Sequence, residues 1–125
     1  MREVIETKNA PQGIGPFSQA IRANGFVFVA GQVPVDPETR AVVAGDILVQ
    51  SKRVFENLAA ILDAAGSSFD KVVRVGVFLK NMDDFARFNE LYQSYFPSEP
   101  PARTAVEAAR FPKDVLVEID VIALA

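Results

Sequence analysis

The 125-residue chain contains no cysteine, no histidine and no tryptophan. Without cysteine there is no disulfide, no thiolate nucleophile and no Cys-ligated zinc, and a cytoplasmic address is expected over a secreted one. The lack of histidine removes the commonest general base, the Ser-His-Asp and Cys-His systems and the usual zinc ligands. Acid–base work must therefore fall to carboxylates, tyrosine or lysine, helped by arginine, backbone dipoles and water. No apolar run approaches the roughly 20 residues of a membrane span, and the opening MREVIETKNAP is too polar for a signal peptide. The basic residues are scattered and the net charge is -3, so the electrostatic footprint of a nucleic-acid binder is missing. Neither a membrane nor RNA or DNA is expected as a partner.

What is present is a core. Half of the residues are hydrophobic and 23% are charged, which fits one globular domain over residues 1–125. Arg2 to Thr7 reads as a short edge strand and Asn9 to Pro16 as a Pro/Gly loop. Phe17 to Ala23 and Phe26 to Ala30 flank Asn24-Gly25, a strong hairpin signal because the favoured two-residue turn needs positive φ at both positions. Gly31 ends the second strand, as a bulge or as a place where backbone approaches a ligand. Val33 to Val35 and Ala41 to Val43 are expected to pair across the turn at Asp36-Pro37.

Asp46 to Ala65 has helical periodicity, with Ile47, Val54, Phe55, Leu58, Ile61 and Leu62 on one face. Gln50, Lys52, Arg53, Glu56, Asn57 and Asp63 make up the other, and Gly66 is the stop. Lys71 to Lys80 reads as a strand, with Val73, Val75, Val77 and Leu79 sharing one face. A second helix is expected from about Asp83 to Phe96, with Phe85, Phe88, Tyr92 and Tyr95 along one side, as core first and pocket wall second. The order strand, hairpin, helix, strand, helix, strand, strand is α+β, with two helices on one face of a sheet. The second apolar face then needs a partner, and the economical one is another copy of the chain.

The stretch PPARTAVEAARFPKDVLVEIDVIALA, Pro100 to Ala125, carries the candidate chemistry. Alternate residues of a strand face opposite ways, so Arg103, Ala105 and Glu107 share one face. In the last run Val115, Val117, Ile119, Val121 and Ala123 form a plain core face. The opposite face, Leu116, Glu118, Asp120, Ile122 and Leu124, is apolar at its ends and acidic in the middle, unlike an ordinary solvent face. Arg103 offers a planar fork of donors that matches a carboxylate; an intersubunit salt bridge to Glu118 or Asp120 would use it equally well. Glu118 on an apolar strand is either a proton shuttle or the other half of that bridge.

The same stretch closely resembles the C-terminal signature of the RidA (YjgF) family of 2-iminobutanoate/2-iminopropanoate deaminases. NAPQGIGPFSQAI, FVFVAGQVPVDP and MDDFARFNELYQSYF fall in register with it, so the resemblance spans essentially the whole chain. It implies a chorismate-mutase-like α+β fold and a homotrimer with small-molecule clefts between subunits. The implied activity is hydrolysis of enamine and imine intermediates such as 2-aminoacrylate to 2-oxo acids and ammonia, with no metal or organic cofactor. By the family pattern Arg103 binds the substrate carboxylate, and Glu118 activates water and protonates the departing nitrogen. Gly31 and Ala105 line the pocket through their backbones, with Phe85 and Asn89 among the surroundings. Three positions depart from that pattern: Phe17 where Tyr is common, Ala105 where Cys or Ser is common, and Ala30 where Ser is frequent. Endoribonuclease activity, inhibition of translation and a non-catalytic carboxylate-binding or chaperone-like trimer are the competing readings.

Overall fold

A computed structural model describes residues 1–125. The strands are β1 (Arg2–Ile5), β2 (Ala20–Ala23), β3 (Phe26–Gln32), β4 (Val72–Leu79), β5 (Ala102–Glu107) and β6 (Val117–Leu124), and the helices are α1 (Ile47–Ala64) and α2 (Phe85–Tyr95). They form one six-stranded sheet in the order β1-β2-β3-β6-β4-β5. Only β4 and β5 pair in parallel, and α2 is the crossover such a pair requires. The fold is the expected α+β mixed sheet with two helices.

Local chemistry explains most of the boundaries. Asn24 and Gly25 turn the β2–β3 hairpin with φ of 53° and 83°, the positive values that match the twist of the flanking strands. Asp46 caps α1 by accepting from the Val49 N–H at 3.0 Å. At the other end Gly66 has φ 76°, and Ser67 N–H donates to Leu62 O while Gly66 N–H donates to Asp63 O. This is a Schellman stop, and it occupies carbonyls that the helix leaves orphaned.

Several expectations are corrected. Strand β2 begins at Ala20, because the Gln19 side chain is buried and its amide donates to the carbonyls of Thr7, Ala10 and Pro11, anchoring the preceding loop. Between Val33 and Val43 only a single bridge forms, Val35 with Val42. Val73 leaves the core face: the ladder shifts between Val72 and Arg74 opposite Ala123 and Ile122, and this bulge turns Val72 inward and Val73 out. Gln50 and Asn57, placed on the face opposite the core stripe, are buried. Asn57 Nδ2 donates to Val33 O and Val35 O, and Gln50 Nε2 donates to Val43 O. The irregular Val33–Val43 segment has no ladder to satisfy these carbonyls, so α1 satisfies them from its flank.

Both helices pack on one face of the sheet. Beneath them lie Val27, Val29, Val75, Val77, Leu79, Val117, Ile119, Val121 and Ala123, all buried. Phe55 of α1 stacks on Tyr95 of α2 at 4.1 Å between ring centroids, and Phe69, Phe88, Tyr92 and Phe96 complete an aromatic cluster around it. Each such pair adds about 0.5–1.5 kcal/mol beyond its buried area, which fixes α2 over the β4–β5 end of the sheet. On the uncovered face Val4, Phe26, Phe28, Val106 and Leu124 are exposed, and Ile21, Phe78 and Ile122 are half-buried.

Candidate functional site

The sheet divides the expected site residues into two groups. Arg103 and Ala105 of β5 stand opposite Val75 and Val77 of β4, which are core residues, so both point to the helix side. Glu118 of β6 stands opposite Phe78 and points to the uncovered side. Within one protomer the guanidinium and the carboxylate are therefore on opposite faces of the sheet. They form no contact, and none of the three salt bridges involves either residue.

On the helix side, Arg103 is half-buried against α2. Its Nη1 donates to Asn89 Oδ1 at 2.8 Å, and its guanidinium carbon lies 5.3 Å from the Phe85 ring centroid and 4.6 Å from that of Tyr92. Phe85, Asn89 and Tyr92 are spaced i, i+4 and i+7, which puts them on one helical face. An open groove of about 480 Å³ borders the arginine, lined by Asn89, Tyr92, Gln93, Pro97 and Pro101 among others. A guanidinium has five N–H donors, so the bond to Asn89 leaves most of the fork for a ligand.

On the uncovered side, the Glu118 carboxylate sits over Gly31. A Cβ at position 31 would collide with it, so glycine here is a matter of space. Gly31 lies in a register shift between Val29 and Gln32, so the bulge is found, and the group that closely approaches its backbone is the Glu118 carboxylate. The same device recurs one strand pair away, where the Asp120 carboxylate fills the space over Gly76. Burial pushes Glu118 above its ordinary pKa of 4.5, and the neighbouring Asp120 carboxylate adds to the shift. Asp120 is raised by burial too, with the Gly76 N–H and Arg74 pulling it back. Phe17 is exposed and lines an open groove of about 390 Å³ with Phe28 and Ala30. Gly31→Ala should thus displace the Glu118 carboxylate without disturbing the core. A misplacement near 1 Å costs up to about 100-fold in rate, so a turnover that uses the Glu118 carboxylate should fall by roughly 10- to 100-fold. Steady-state kinetics beside a thermal melt unchanged within a few degrees would check it.

Phe85 and Asn89 thus gather with Arg103 on the face that Ala105 shares, Gly31 gathers with Glu118, and Phe17 lines the groove that includes Ala30, the residue before Gly31. Tyr92, expected as core first and pocket wall second, is buried in the core and also belongs to the arginine's cradle. The Asp120–Gly76 pairing depends on a register that sequence periodicity does not carry.

Comparison with known proteins agrees with this architecture. The family model described as Endoribonuclease L-PSP matches residues 7–125. A RutC family protein of Pyrococcus horikoshii is 57% identical over 123 residues, covering 98% of each chain. The mouse 2-iminobutanoate/2-iminopropanoate deaminase is 41% identical over 124 residues, covering 99% of this chain and 92% of the mouse protein. Among solved structures, E. coli TdcF with bound serine superposes with a TM-score of 0.93 at 40% identity, covering 98% of both chains. The chain belongs to the Endoribonuclease L-PSP family, which is the YjgF/RidA family.

Proposed function

We propose that the protein hydrolyses small 2-imino and 2-enamino acids, such as 2-iminopropanoate, 2-iminobutanoate and 2-aminoacrylate, to 2-oxo acids and ammonia. The observation that carries the reading is the division of the site. A guanidinium with free donors borders one groove, and a half-buried carboxylate with a raised pKa sits over Gly31 on the opposite face. Two copies of the chain that bring these faces together would enclose a site with a carboxylate anchor and a proton shuttle. The apolar uncovered face supplies the reason to assemble, and a closed homotrimer forms one such site at each boundary.

Arg103 takes the substrate carboxylate through its free N–H edge. The imine carbon is already electrophilic, so the protein has little to do beyond placing a water and moving a proton. The water oxygen bonds to that carbon while Glu118 relays a proton to the nitrogen. The carbinolamine then collapses: Glu118 carries the hydroxyl proton to the nitrogen, the C=O bond forms and the C–N bond breaks with its electron pair leaving on ammonia. An enamine first takes a proton at carbon to become the imine. Support comes from the mouse relative, named for this activity, and from TdcF, whose bound serine is a small amino acid with the same carboxylate.

The matched family's description supplies a second reading, RNA cleavage. Against it stand the absence of histidine and the scattered basic residues. The test is release of pyruvate and ammonia from 2-aminoacrylate generated in situ. Acceleration over the uncatalysed decay is expected. No acceleration with this imine or with 2-iminobutanoate, alongside RNA cleavage that survives Arg103→Ala, would replace the deaminase reading with the ribonuclease one.

A further inference from the structure

Arg103 stands on β5, at an edge of the sheet, without a carboxylate partner in the protomer. A free arginine side chain samples many rotamers, so something must hold its fork if it is to meet a ligand in one geometry. Asn89 fixes one corner, through Nη1. That bond alone leaves the plane of the guanidinium free to tilt about it. The Tyr92 ring lies 4.6 Å away and supplies a surface against which the plane can rest.

Tyr92 is itself immobilised. It is 6% exposed, 4.8 Å from the Phe96 ring and 5.8 Å from that of Phe88. Its hydroxyl is buried and has no hydrogen-bond partner. A phenylalanine would fill the same position without that cost, so what the position offers Arg103 is the ring face and not the hydroxyl. We infer that Tyr92 is a positioning residue: its ring, locked in the aromatic cluster, holds the Arg103 guanidinium in the plane that receives a carboxylate. The inference rests on the carboxylate-binding reading of Arg103 given above, and it adds a residue that does not touch the reacting atoms.

Two measurements on the intact protein separate the inference from the reading beneath it. The first is the ¹⁵N relaxation of the Arg103 Nε–H in the free protein, and the second is calorimetric affinity for pyruvate as a carboxylate probe. Tyr92→Met removes the ring face but keeps a helix-forming, adaptable core filler, and Tyr92→Phe keeps the ring. Tyr95→Leu is the control, since Tyr95 stacks on Phe55 in the same cluster and is not among the residues gripping Arg103. We expect Tyr92→Met to mobilise the Nε–H and weaken pyruvate by roughly tenfold, the scale of a partly desolvated cation–π contact. Tyr92→Phe should leave both readouts close to wild type, and Tyr95→Leu should lower the melting temperature alone. An Nε–H as ordered in Tyr92→Met as in wild type, or an equal loss of affinity in Tyr95→Leu, would overturn the inference while Arg103 remained the anchor. Failure of wild type to bind pyruvate, or equal binding by Arg103→Ala, would sink the carboxylate reading and the inference with it.

Discussion

Arg103→Ala is expected to lower kcat/KM for a 2-imino acid by about 10²–10³-fold, the kinetic equivalent of roughly 3–4 kcal/mol for leaving a substrate charge without its partner in an enclosed site. The side chain is half-buried and held on three sides by Phe85, Asn89 and Tyr92, so its truncation removes the anchor and leaves no neighbouring cation to replace it. Stability should change little by comparison, because none of the salt bridges of the protomer involves Arg103. The loss should fall mostly on KM if the carboxylate is held equally in the ground and transition states, and the split is read from initial rates. Arg103→Lys should recover only part of it. An ammonium keeps the charge but not the planar fork that Asn89 and Tyr92 orient.

Glu118→Gln should act on the other parameter. A proton shuttle contributes about 10²–10⁴-fold, and the amide retains the size of the carboxylate while losing its proton, so kcat should fall on that scale with KM nearly unchanged. The pH dependence follows from the direction of the shift. Burial first, and Asp120 second, hold the Glu118 pKa above 4.5, so the protonated form persists above the ordinary carboxylate range. Between 4.5 and the folded-state value the native protein keeps a proton that the unfolded chain has released. The stability owed to this group is therefore complete below pH 4.5 and is lost as pH rises through the folded-state pKa. Glu118→Gln should flatten that part of a pH series of thermal melts, and a wild-type series with no slope in that window would contradict the assigned direction.

How much of this was legible in the sequence depends on the range of the interaction. The Asn24-Gly25 turn, the Gly66 stop, the α1 core stripe and the alternation of β6 are each dictated within a few residues, and each is found as read. Gln50 and Asn57 misled because a polar residue on a helix flank looks the same whether it meets water or the carbonyls of another segment, here Val43 for Gln50 and Val33 and Val35 for Asn57. Val73 misled because a bulge is a property of the pairing between β4 and β6, and strict alternation holds only where pairing is regular. The site behaves likewise. Arg103 and Glu118 stood out as charges on apolar strands, but their separation by the sheet follows from strand order, with β5 outside β4 and β6 inside it. Phe17 lines its groove with Phe28 and Ala30 as an apolar wall without a hydroxyl.

That separation makes the central claim testable by mixing. If each site takes Arg103 from one subunit and Glu118 from the next, Arg103→Ala and Glu118→Gln proteins are each inactive, yet a mixed trimer contains one boundary where both residues are native. Unfolding the two together and refolding them at equal concentration should restore roughly a quarter of wild-type activity, the statistical yield for random closed trimers with one intact site in each mixed assembly. Refolding either variant alone should restore none. A mixture as inactive as its parents, with exchange of subunits verified by mass, would mean that the two residues do not meet across a boundary, and the account of a shared site would fall.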